Sequence, residues 1–69
     1  MSPFDKRQYD AAYERLKSRI NEICDAEDYD QFVKSRLHAQ ARAAFQKAAL
    51  NNEPPDNAVT TALVTIGYY

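Results

Sequence analysis

The chain has 69 residues, with 9 Lys and Arg against 10 Asp and Glu, one Cys, one Gly and no Trp. This describes one small soluble domain of formal charge −1 and leaves no room for a second. No apolar run approaches the roughly 18 residues of a membrane span, and Met1-Ser2-Pro3-Phe4-Asp5 lacks the layout of a signal peptide, which predicts a cytoplasmic protein.

Ser2-Pro3-Phe4-Asp5 reads as a helix start, with Ser2 as cap, Pro3 at the first position and Asp5 favouring the helix dipole. The first helix is expected from about residue 3 to 25. Along it Tyr9, Tyr13, Leu16, Ile20 and Ile23 follow at alternating spacings of four and three, the seam of a helix that packs on another helix. Asp25-Ala26-Glu27-Asp28 offers a turn, with Asp28 as the next cap and Gln31 as its capping-box partner. A second helix is predicted over about 29–50, stopped by Asn51-Asn52 and Pro54-Pro55.

That second helix carries two apolar stripes. Val33, Leu37, Ala41, Ala44 and Ala48 form one, flanked by Phe45; Phe32, Ala39, Ala43 and Leu50 form the other, with Arg36 and Gln46 completing the spacing. Two stripes call for two neighbours. One is the first helix, folded back as an antiparallel hairpin; the other is either the C-terminal segment or a second copy of the chain. The segment 56–66 has β-branched residues that would suit a strand. Its Val59, Ala62, Leu63 and Ile66 nevertheless share a helical face, with Pro54-Pro55 ahead and Gly67 behind as a C-cap, so a short third helix is expected. Tyr68-Tyr69 trail beyond that cap.

The predicted fold is therefore an all-α single domain over 1–69, a helical hairpin with a short C-terminal helix. Of its 31 apolar residues 11 are Ala, which leaves few large side chains for a core. A chain of this size buries only about 60% of its unfolded surface, and one Cys makes no internal disulfide, so homodimerisation is the expected support. Tyr9, Tyr13, Leu16, Ile20, Ile23, Val33, Leu37 and Phe45 form the dimer or hairpin seam.

No catalytic residue is assigned. His38 and Cys24 fall on different predicted helices, and their positions along an antiparallel pair predict a wide separation. His38, between Lys34 and Arg42, reads as a solvated helix residue with a lowered pKa. A single Gly, at position 67, builds neither a phosphate-cradling loop nor a dinucleotide turn, and no cofactor is expected. Glu22, Asp25, Glu27, Asp28 and Asp30 lack the Gly of a calcium loop and read as a solvated hairpin tip, or as an anionic patch for a basic surface; no metal is expected.

Without those five acids, nine bases face five acids, so a small dimeric DNA-binding regulator is the alternative function. Arg15, Arg19, Arg36, Arg42 and Lys47 would track the backbone. Against it stand the sequence pI of 5.7, long helices without a turn Gly, and acids within helical reach of the bases, as Glu14 with Lys17 and Asp30 with Lys34. The favoured reading is a protein-interaction module. Tyr and Arg anchor interfaces, and five of the eight aromatic residues are Tyr. Phe4, projecting opposite the first seam, and Phe32, Arg36, Ala39, Ala43 and Leu50 are the predicted protein-binding residues, though the second stripe could equally be the dimer seam.

An uncut helix from Ser2-Pro3, the acidic turn at Asp25–Asp28, the Ala-rich second helix and the Pro54-Pro55 break together resemble small host-takeover proteins of bacteriophages. Within these, the layout is most similar to the quorum-sensing anti-activators of Pseudomonas phages. The resemblance implies a short dimeric protein in the host bacterial cytoplasm that binds and disables a LuxR-type transcription activator and affects pilus assembly through the pilus ATPase. It spans the whole chain as layout, without a motif that assigns binding residues.

Overall fold

The computed structural model describes residues 4–69 and contains three helices, α1 (Lys6–Glu27), α2 (Gln31–Leu50) and α3 (Pro55–Thr65), with no strand among the described residues. The cap of α1 is Asp5, whose carboxylate accepts the Gln8 amide at 3.0 Å while the Gln8 side-chain oxygen accepts the Asp5 amide at 2.9 Å. This reciprocal box starts the helix later than a start at Pro3; Ser2 and Pro3 lie outside the described residues. The α2 cap is likewise displaced, from Asp28 to Asp30, whose carboxylate accepts the Val33 amide at 2.9 Å. Asp28 instead ends α1, and the Asp30 carboxylate forms no ion pair with Lys34 among the described residues.

All three helices stop in the same way. Asp28, Asn52 and Gly67 adopt the left-handed conformation at φ 57°, 60° and 82°. Each of their amides donates to a carbonyl three residues back, and the next amide, that of Tyr29, Glu53 or Tyr68, donates five residues back, to Cys24, Ala48 or Leu63. This paired closure consumes carbonyls that a helix end leaves orphaned. Asp and Asn tolerate the left-handed region through short polar side chains, and Gly meets no Cβ penalty there.

The α1–α2 turn returns α2 antiparallel to α1, so that Asn21 meets His38 and Tyr9 lies edge-on to Phe45 at 6.3 Å. Pro55 at the first position of α3 then turns the chain back along the hairpin. Arg15 on α1 holds Asp56 at the start of α3 at 2.6 Å, and the Tyr9 hydroxyl donates to the Glu53 carbonyl at 2.7 Å. At the other end the Tyr29 and Tyr68 hydroxyls bond each other, their rings edge-on. Of the β-branched residues of α3, Thr60 and Thr65 donate to carbonyls four residues back, Asp56 and Thr61. The whole measures 41 × 18 × 17 Å.

The core runs along the line where the three helices meet. Leu16, Ile20, Ile23, Cys24, Phe45 and Leu63 are buried together with Ala12, Ala41, Ala48, Ala58 and Ala62. Tyr9, Tyr13, Tyr29, Leu37, Val59, Ile66 and Tyr68 pack around this core, half-buried. Tyr68 is thus part of the fold rather than a trailing residue, while Tyr69 is exposed. Phe4 also departs from expectation. It precedes α1 and lies edge-on to the seam residue Tyr9 at 6.2 Å, rather than opposite the seam.

Two measurements check this packing. Ala62→Leu has no space to fill and is expected to cost about 1–3 kcal/mol by urea denaturation, whereas Ala39→Leu on the exposed face of α2 is expected to leave stability nearly unchanged. Tyr68→Ala, which removes a half-buried ring and its bond to Tyr29, is expected to cost about 2 kcal/mol in the same assay.

Candidate protein-binding surface

Because α1 and α3 both lie against one side of α2, the opposite side faces solvent. Phe32, Arg36, Ala39, Ala43 and Leu50 are all exposed there, spaced by four, three, four and seven residues, so they form one longitudinal stripe. Phe32 is 74% exposed and Leu50 83%, and they stand about 27 Å apart along the axis at 1.5 Å per residue. The two alanines between them keep the middle of the stripe low. The third helix leaves Phe32 uncovered, since it lies along the inner side of α2 where Ala41, Phe45 and Ala48 are buried.

Phe4 does not join this stripe. It lines a separate hollow with Gln8, Ala11, Arg15, Pro54, Pro55 and Asp56 at the start of α1 and α3. Among the expected seam residues, Leu16, Ile20, Ile23 and Phe45 are buried inside the chain's own core; Tyr9, Tyr13 and Leu37 pack against it, and Val33 is half-buried. A second apolar surface was not foreseen from sequence. Tyr9, Phe45, Ala49 and Leu50, with Lys6 and Gln46, line an open groove of about 470 Å³ between the start of α1 and the end of α2. It continues into a hollow bounded by Asp10, Tyr13, Arg42, Phe45 and Gln46. Spacing places Phe45 on the hairpin seam but does not show that α3 would cover only one side of it.

The charges are unevenly paired. Lys6–Asp10, Lys17–Glu14 and Arg19–Glu22 form ion pairs along α1, and Arg15 is held by Asp56. The α2 helix contains Lys34, Arg36, Arg42 and Lys47 and no carboxylate, and none of these bases has an ion pair among the described residues. The hairpin tip has the opposite character, with Asp25, Glu27 and Asp28 exposed beside the Asp30 cap. Of the five bases expected to track a nucleic-acid backbone, Arg15 and Arg19 are therefore occupied by carboxylates.

His38 and Cys24 are closer along the hairpin than the sequence suggested. The His38 ring nitrogen Nε2 bonds the Asn21 side-chain oxygen at 3.0 Å, and Asn21 lies less than one turn from Cys24. The turn falls two residues later than expected, at 28–30, which shifts the register of α2 against α1. Cys24 is buried in the core, and the ring's partner is Asn21. Among the described residues, no group of three His, Cys, Asp or Glu is disposed to hold a metal ion, and no helix is long and apolar enough to cross a membrane. Comparison with protein families, with curated proteins and with solved structures finds no match.

The His38 imidazole is held below its ordinary 6.5 by partial burial, then by Lys34 and Lys17. Arg42, the flanking base expected to act with Lys34, is not among the causes; Lys17 reaches the ring from α1. A lowered folded value means that the unfolded chain binds the proton more readily. The stabilisation from neutral His38 is complete above pH 6.5 and is lost as pH falls through that value toward the lower folded one. Thermal melts across this window are expected to show a step that His38→Gln flattens.

Proposed function

We propose that this chain is a non-enzymatic binding protein that disables a host protein by covering a functional surface with the outward face of α2. The observation that carries the reading is the exposure of Phe32 and Leu50 on one face with Arg36, Ala39 and Ala43 between them. A large aromatic left in water at one end of a rigid helix, with alanines permitting close approach along it, is the anatomy of a contact anchor. A rigid helix also loses little conformational entropy on docking.

The chain works as a homodimer in this reading, with the second copy seated on the groove formed by Tyr9, Phe45, Ala49 and Leu50. That groove is apolar at its centre and bordered by Lys6, Asp10 and Arg42, charges of both signs that suit pairing with a copy of itself. Dimer and target then occupy different faces, meeting only at Leu50. The resemblance to phage anti-activators makes a LuxR-type activator the first target to assay.

Two substitutions separate the faces. Phe32→Asp is expected to leave a folded dimer, read by light scattering as twice 7.9 kDa, that no longer prevents a LuxR-type activator from shifting its operator DNA. Ala49→Glu is expected to give a folded monomer that still contacts the target. Conversion of the Phe32→Asp chain to monomers would assign the stripe to self-association, and an operator shift unaffected by the unaltered chain would remove this class of target.

A further inference from the structure

We infer that the outward face of α2 takes an amphipathic helix of a partner protein, acidic over the stretch that meets Arg36 and Lys47 and basic where it reaches the hairpin tip. This rests on the contact-face reading above and adds the chemistry of what docks. The exposed bases Arg36 and Lys47 lie along a helix without a single carboxylate and have no ion pair among the described residues, whereas four of the five α1 bases, Lys6, Arg15, Lys17 and Arg19, do. Just beyond Phe32 the sign reverses, at Asp25, Glu27, Asp28 and Asp30.

This two-signed strip selects among occupants. A nucleic acid tracking the bases would carry its phosphates into the acidic tip, and its backbone offers no apolar surface for Phe32 and Leu50. A second copy laid α2 against α2 would bring the bases of both copies together with no acid between Gln31 and Leu50 to neutralise them. A helix of about eighteen residues spans from Phe32 to Leu50, crosses closely over Ala39 and Ala43, and can match both signs.

The test uses the full chain and two synthetic amphipathic peptides of about twenty residues with the same apolar face. One carries Glu along its body and Lys at one end; the other has these signs exchanged. Fluorescence anisotropy is expected to give at least about tenfold tighter binding of the Glu-bodied peptide, with the gap narrowing as salt rises from about 50 to about 300 mM. The double variant Arg36→Glu/Lys47→Glu, both exposed and checked for helicity by circular dichroism, is expected to reverse the preference. Equal affinities, absence of binding to either peptide, or stronger salt-sensitive binding to a generic DNA duplex would overturn the inference. The contact-face reading has its own readout: Phe32→Asp abolishing target contact while the peptides bind equally would retain that reading and discard the charge assignment.

Discussion

A shortage of large apolar side chains constrains this molecule throughout. Five of its eleven buried core residues are Ala, so the helices can gain packing energy only by approaching until backbone and Cβ atoms touch. Ala12, Ala41, Ala58 and Ala62 have no exposed surface, which places small residues where the three helices converge. The tyrosines then cover the rim of this narrow core. Their rings exclude water, and the hydroxyls of three of them are paired, Tyr9 with the Glu53 carbonyl and Tyr29 with Tyr68. A core this narrow uses one side of each helix and leaves the other side of α2 without a neighbour among the described residues.

The same economy separates the roles of the helices. Along α1, ion pairs one turn apart neutralise the solvent face, an arrangement that contributes little stability but discourages strong contacts. The α2 helix has no such pairing among the described residues, and its bases accompany two exposed apolar side chains. Unpaired charge adjoining exposed apolar surface favours rapid encounter through long-range attraction and retention through burial. That combination of features supports the occlusion reading.

Much of the fold was legible because the hydrophobic spacing of α1 and the double stripe of α2 are strong periodic signals. The caps were harder. Asp5, Asp28 and Asp30 all have the chemistry of a cap, and the choice among candidates two or three residues apart depends on which carboxylate meets an amide once the turn has closed. The stripe from Phe32 to Leu50 was readable as a face, but its exposure was not, since that depended on which side α3 would occupy. Phe4 precedes the Asp5 cap, so helical projection does not place it. The Tyr29–Tyr68 bond joins residues 39 positions apart that share no local pattern, although each directly follows a left-handed helix stop.

That bond, together with the Tyr9–Glu53 bond across 44 positions, makes the fold close like a ring rather than grow outward from one end. Ala58, Ala62 and Leu63 of α3 are buried in one cluster with the core residues of α1 and α2, so the interior of the hairpin is completed only by the last segment of the chain. Small single domains usually unfold as one cooperative unit, and residues 53–68 belong to that unit here, so loss of the third helix is expected to weaken the whole fold rather than one end of it.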